Sequence, residues 1–382
     1  MKKIVIAVDS FKGSMSSLEA GAAVAAGIRN SGRHAADFEI VIKPVADGGE
    51  GTTEALVAGL GGEYAFVNVT GPLGNSVTAR YGLIQSENLA VMEMAEAAGI
   101  TLLKQSELNP AQATTYGVGE MILDAVKKGC REFIVGIGGS ATTDGGVGML
   151  MALGYEFLDE EGKLIRQGMQ ALDEIVKISD EKVPQEVKEC HFKVACDVKN
   201  PLLGENGAVY VYGSQKGVKE YEKEMFDRKM EHYADRTIEF TGKDMRMAEG
   251  AGAAGGLGFA FLSYLNADLE SGISIVLEAL KMEEEFEDAD IVITGEGRMD
   301  AQTAMGKVPV GIAKLAKKHG CRVIAFAGGV TRDAVKCNEA GIDAFFPIVR
   351  GVTTLEEAMK KENAVKNMEE TVEQVFRLLG IQ

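Results

Sequence analysis

Short, almost unbroken apolar runs recur along the chain, and most of them end in a glycine-rich polar loop. Lys3–Val8 reads as a buried strand leading into Asp9-Ser10-Phe11-Lys12-Gly13-Ser14. Ser16-x-x-Glu19 then has the pattern of a capping box, so a helix is expected through the alanine-rich stretch to about Asn30. Phe38–Lys43 is a second predicted strand, ending in Pro44-Val45-Ala46-Asp47-Gly48-Gly49-Glu50-Gly51-Thr52. Glu132–Ile137 is another, ending in Gly138-Gly139-Ser140-Ala141-Thr142-Thr143-Asp144-Gly145-Gly146. The C-terminal third repeats the pattern. Asp290–Thr294 leads to a predicted loop Gly295-Glu296-Gly297-Arg298-Met299-Asp300, and Arg322–Ala327 leads to Gly328-Gly329. Ala344–Val349 leads to a final helix expected to open at a second capping box, Thr354-x-x-Glu357.

Strands alternating with helices predict parallel sheets covered on both faces. In such sheets ligands bind beyond the carboxyl ends of the strands, where the polar loops lie. The middle of the chain reads differently. Tyr64–Val69 and Val77–Ile84 look like strands joined through Thr70-Gly71-Pro72-Leu73-Gly74-Asn75, Val91–Ala95 is apolar, and Lys219–Thr237 is a highly charged helix. The expected fold is α/β with two domains. One is a Rossmann-like parallel-sheet domain formed by both termini, residues 1–65 and 285–382; the other is a second α/β domain, residues 66–284, inserted between them. The acidic run Glu283–Asp290 near the return crossing reads as a solvated helix end or a linker.

The chain has 382 residues, 46% hydrophobic and 25% charged, the balance of a globular protein with a sizeable core. Its formal net charge of −17 argues against nucleic acid or an anionic membrane surface as the main partner. No apolar run reaches the roughly 18 residues of a membrane span. Met1-Lys2-Lys3 ahead of apolar residues resembles the start of a signal peptide, but Asp9 arrives too early and the run reads better as a first strand. The five cysteines are odd in number and form no C-x-x-C pair, so neither a disulfide framework nor a zinc site is expected, which suits a reducing cytoplasm.

The standard nucleotide signatures are missing. Gly306-Lys307 is followed by Val308 and position 302 is a glutamine, so there is no P-loop, and no dinucleotide fingerprint follows the first strand. There is no HExxH and no G-x-S-x-G. The four histidines (His34, His191, His232, His319) lie outside the glycine-rich loops and read as surface or packing residues. The loops instead combine carboxylates, cations and glycine: Asp9 with Lys12, Asp47 with Glu50, Asp144, Asp197 with Lys199, and Glu296, Arg298 and Asp300 with Lys307. Glycine lets backbone N–H groups approach phosphate oxygens, lysine or arginine neutralises them, and carboxylates hold Mg²⁺ or accept a hydroxyl proton. These are the requirements of phosphoryl transfer. The Gly138–Gly146 loop offers hydroxyls and open N–H groups, an anion nest in which Gly138, Gly139, Ser140 and Thr142 are the candidate phosphate contacts. Asp47, Glu50 and Asp144 are the candidate Mg²⁺ ligands. Arg298 offers a fork for a carboxylate or phosphoryl group, with Asp300 or Glu296 as base or metal ligand.

Six of these segments, in order and in register, resemble the type I glycerate kinase family. They are Asp9–Ser14, Pro44–Thr52, Gly138–Gly146, Cys196-Asp197-Val198-Lys199-Asn200-Pro201-Leu202, Gly213-Ser214-Gln215-Lys216-Gly217 and Thr294–Arg298. The resemblance covers essentially the whole chain. Ala301 departs from the family pattern, which has a serine there. The resemblance implies ATP-dependent phosphorylation of D-glycerate with Mg²⁺ to give 2-phosphoglycerate, in a two-domain α/β fold with the active site in the cleft between the domains. On this reading Asp197, Glu296, Arg298, Asp300 and Lys12 are the catalytic candidates, and Asp9, Ser14, Lys199 and Lys307 join the nest in binding substrate and phosphate. Rival expectations are a kinase of another small hydroxy acid, phosphorylation of the 3-hydroxyl, or a metabolite sensor without turnover.

Overall fold

The apolar runs become strands in a computed structural model that describes residues 2–32 and 38–380. In chain order the strands are β1 (Lys2–Val8), β2 (Phe38–Ile42), β3 (Glu63–Thr70), β4 (Ser76–Ile84), β5 (Leu89–Glu93), β6 (Glu132–Gly136) and β7 (Glu156–Leu158). They continue as β8 (Lys177–Ser179), β9 (His191–Ala195), β10 (Ala267–Glu270), β11 (Ile291–Met299), β12 (Arg322–Val330) and β13 (Ala344–Pro347). The chain divides into two units. One contains residues up to 47, 54–60 and 273 onward; the other contains 48–53 and 61–272.

The first unit is built on a five-stranded parallel sheet in the order β13-β12-β11-β1-β2. Ile4 to Val8 are almost wholly inaccessible, as expected for a strand covered on both faces. The helix Ser17–Asn30 starts with the predicted capping box at Ser16 and Glu19. It packs Ala20, Val24 and Ile28 against β1 and against Met368, Val372 and Phe376 of the helix Lys361–Leu379. The chain leaves β1 on one side to form β2 and returns on the other side as β11. A parallel sheet whose order reverses at a strand in this way opens a crevice beyond the carboxyl ends at the reversal. The loops after β1 and β11 flank that point.

The second unit has a six-stranded sheet in the order β10-β9-β6-β5-β4-β3 and a small β7-β8 ribbon. β5, β6, β9 and β10 are parallel, while β3-β4-β5 form an antiparallel meander, so this sheet is mixed. At its carboxyl edge Glu93, Gly136, Ala195 and Glu270 stand side by side in register. The next residues in each loop therefore begin from one row.

Several expectations shift. The strand predicted at Asp290–Thr294 continues to Met299, because β11 keeps pairing with β12 through Arg298↔Gly329 and Met299↔Val330. β12 likewise continues through Gly328-Gly329 to Val330. Gly295 is needed for closeness: a Cβ there would lie 2.1 Å from the Phe326 carbonyl oxygen. The charged helix spans Lys223–Thr241 rather than starting at Lys219, since Glu222 accepts from the Lys219 N–H and closes a 3₁₀ turn first. Thr354 caps a short helix, Leu355–Met359; Lys360 then interrupts the helix (ψ 126°) before Lys361–Leu379 begins. The unit boundaries also differ from 1–65 and 285–382. β3 joins the second sheet, and the helix Met282–Phe286 within the acidic run stays with the first unit, where Glu285 pairs with Lys3 and Lys43.

Candidate active site

At the β1/β11 edge of the first unit, the Asp9 N–H donates to the Gly295 carbonyl at 2.9 Å, so the loop after β1 remains tied to β11. This leaves the Asp9 side chain buried at 5% exposure, its carboxylate accepting from the Ser10 N–H at 2.7 Å. Burial and the negative charge of Asp47 raise its pKa to about 7, Glu296 adding to the effect and Lys12 opposing it. Lys12 is exposed and pairs with Asp47 at 3.2 Å. Glu296 is buried and accepts from the Thr303 hydroxyl; burial raises its pKa too, while Lys307 opposes the rise. Arg298 is 71% exposed and stands 3.5 Å from Asp300. An exposed pair of this kind is worth only about 0–1 kcal/mol, so the guanidinium is available to an anion. Asp300 shapes the turn, accepting from the Gln302 N–H at 2.9 Å while its own N–H donates to Thr303 Oγ1. Lys307 is exposed, and Ser14 Oγ is buried with no partner among the described residues. Asp9, Lys12, Asp47 and Glu296 are thus electrostatically coupled, with Arg298, Asp300 and Lys307 on the same unit.

The second unit carries the nest. Gly138 and Gly139 are exposed, Gly139 is left-handed at φ 72°, and the N–H groups of Gly138, Gly139 and Ser140 find no partner among the described residues. Ser140 Oγ accepts from Lys216 Nζ at 2.7 Å, and Thr142 Oγ1 is buried without a partner. Asp144 is fully buried. Its carboxylate accepts from the Thr115 N–H and hydroxyl at 2.8 and 2.9 Å and from the Gly146 and Gly148 N–H groups at 3.3 and 3.2 Å. Asp197 accepts from the Gly272 N–H at 3.1 Å, and Lys199 pairs with Glu249 on the surface at 3.0 Å.

The candidate metal ligands are not brought together. Asp47 pairs with Lys12, Glu50 is exposed, and Asp144 is committed to Thr115, Gly146 and Gly148. No three histidine, cysteine, aspartate or glutamate side chains gather into a metal site among the described residues. Two ionisable residues, the buried Lys216 and the half-buried Glu93, were not among the site residues expected from the sequence, although Lys216 lies in one of the six family-like segments. Lys216 lies in a glycine-flanked turn, and Glu93, at the end of β5, accepts from the Thr53 N–H at 2.9 Å. Of the histidines, His191, His232 and His319 have surface or carbonyl contacts, and His34 lies outside the described residues.

Residues 4–380 match the model of the glycerate kinase family. The chain belongs to the glycerate kinase family. It is 46% identical over 373 residues to a glycerate kinase of Bacillus subtilis, covering 98% of this chain and 96% of that one. It is 43% identical over 358 residues to the glycerate 2-kinase of Escherichia coli, covering 94% and 93%. A crystal structure from Salmonella typhimurium LT2, named for glycerate kinase 2, superimposes with a TM-score of 0.91 at 41% identity, covering 100% of this chain and 98% of that one. Glycerate kinase membership agrees with the resemblance read from the six loops.

Proposed function

We propose that this protein is an ATP-dependent glycerate 2-kinase acting on D-glycerate. The observation that carries the chemical reading is Asp9. Burial, then the negative charge of Asp47, pushes its carboxyl up to about 7, so near neutral pH it is basic enough to take a proton. Brønsted behaviour favours a base of this strength. Asp9 accepts the proton of the glycerate 2-hydroxyl as that oxygen bonds to the γ-phosphorus and ADP leaves. Arg298 supplies a planar fork for the glycerate carboxylate or for the charge of the transferring group, and Lys12 and Lys307 add positive charge. The open N–H groups of Gly138, Gly139 and Ser140 receive phosphate oxygens.

Mg²⁺ is proposed to enter on the ATP phosphates. No preformed cage of protein ligands exists among the described residues, and Mg²⁺ in kinases is commonly held by one or two carboxylates plus phosphate. The cysteines are all free, in keeping with the proposed cytoplasmic location. The test is an ADP-release assay over a panel of small hydroxy acids, with and without a chelator, in which the phosphate position of the product is determined. Glycerate-dependent ADP release that stops with chelator, giving 2-phosphoglycerate, is expected. Binding of glycerate without ADP release would instead mark a sensor, and a 3-phosphate product would displace the 2-hydroxyl assignment.

A further inference from the structure

Among the described residues, Lys216 is a fully buried lysine whose presence no packing need accounts for. Its side chain is 1% exposed, and its ammonium donates to Ser140 Oγ at 2.7 Å and to the Thr142 carbonyl at 2.6 Å. Burying an ammonium is costly unless it is matched by charge and hydrogen bonds. Here burial pushes the pKa down to about 7, with Asp144 the acid that opposes the shift. Asp144 is itself saturated by Thr115, Gly146 and Gly148, so it supplies field rather than a direct partner. A methionine of similar length would fill the same space without that penalty.

Among the described residues the ammonium bonds only to the nest. The nest is also held by the Ile100 N–H donating to the Gly139 carbonyl at 2.8 Å and the Ala141 N–H donating to the Ala98 carbonyl at 2.9 Å. Lys216 supplies a further clamp, and it fixes a direction as well as a position. In its charged form the lysine can only donate, so Ser140 Oγ accepts from it and the hydroxyl proton is left to be donated elsewhere. No described residue takes it. The Ser140 hydroxyl is thereby presented as a donor beside the three unpartnered N–H groups of Gly138, Gly139 and Ser140.

We propose that Lys216 is a positioning residue for phosphoryl transfer: it holds the Gly138–Thr142 turn in shape and keeps the Ser140 hydroxyl aimed as a donor toward the phosphate. This rests on the kinase reading given above. Lys216 does not touch the phosphate, so its effect must pass largely through Ser140.

A double-mutant cycle reads that dependence. Lys216→Met and Ser140→Ala are made singly and together, with Lys216→Gln as a second replacement should the methionine variant fold poorly. The expected result is a fall in kcat of at least ~20-fold for Lys216→Met, with the glycerate KM changed less than ~3-fold, a thermal midpoint within a few degrees of the parent, and a double variant little worse than Ser140→Ala alone. Amide exchange of peptides covering 138–146 is followed in the same variants, a readout that needs no turnover. Exchange should speed up there in Lys216→Met and remain unchanged in the strands of the sheet. A parent that never releases ADP with glycerate would defeat the kinase reading while the exchange result still judged the clamp. A variant that keeps kcat within about 3-fold, or losses that simply multiply in the double variant, would overturn the positioning role.

Discussion

Asp9 is held in a setting that favours its neutral form, and this has consequences for both stability and rate. Its pKa is about 7 in the folded chain against 3.8 for an ordinary aspartate, chiefly through burial and then the charge of Asp47. Between those values the folded state binds more protons than the unfolded state, so stability should fall as pH rises from about 4 to about 7 and then level off. Below pH 4 both states are protonated and the contribution is fully present. Asp9→Asn keeps the carbonyl that accepts from the Ser10 N–H and removes the titration. The variant is expected to be more stable than the parent at pH 8, by on the order of a few kcal/mol, and to show a flatter stability profile between pH 4 and 7. Its kcat/KM should fall ~10²-fold or more and lose the rise with pH near 7 that a free-enzyme base produces. Chemical denaturation and initial rates across that range check both halves. Equal activity in parent and variant would remove Asp9 from the reaction.

β11 is the element on which the first unit's proposed site depends, because it carries both Glu296 and Arg298 while pairing with β12. Glycine makes that pairing possible at Gly295, where a Cβ would stand 2.1 Å from a backbone oxygen that cannot move without opening the ladder. Gly295→Ala is expected to cost at least ~3 kcal/mol or to prevent folding, since overpacking against backbone is poorly relieved. Gly329→Ala, on the neighbouring strand opposite Arg298 with nothing within 4 Å of the new atom, should stay within about 0.5–1 kcal/mol of the parent. Thermal unfolding of the pair separates close approach from a general intolerance of side chains. The same strand marks how far the sequence was legible. Asp290–Thr294 read as a strand because of its apolar, β-branched centre Ile291-Val292-Ile293, whereas Gly295 to Asp300 read as a loop because glycine and charge have low strand propensity. Pairing with β12 overrode that local preference. The short parallel strands, the capped first helix and the carboxylate loops were legible, since each has a local signature. Lys216 and Asp144 were not legible in their roles: what makes one a clamp and the other a loop brace is complete burial, which a lysine in a turn and an aspartate after two threonines do not announce.

At the scale of the whole molecule, one core of the described residues joins segments from both ends of the chain, while another is built from a continuous stretch. One core is made of β1, the helix Ser17–Asn30, β11, β12 and the C-terminal helix. The other draws all of its buried members from residues between Ala65 and Leu265. The reversal of strand order at β1 explains the discontinuity. β1 is an inner strand whose two neighbours, β2 and β11, come from opposite ends of the chain, so the N-terminal segment cannot complete its sheet until the C-terminal third has been made. The middle segment has no such debt, for its six-stranded sheet and its aromatic cluster of Phe133, Phe192 and Phe261 lie within one continuous stretch. Residues 61–272 expressed alone are therefore expected to fold, with a single cooperative thermal transition, native-like near-ultraviolet dichroism and slow amide exchange in β5, β6 and β9. Residues 1–60 alone, lacking β11, are expected to remain unfolded. The middle fragment should release no ADP with glycerate and ATP, because Asp9, Lys12 and Arg298 are absent from it. A middle fragment that binds hydrophobic dye and melts without a transition would mean that its core depends on the terminal segments, and the division into two separately cored units would then describe packing in the finished chain rather than independent folding.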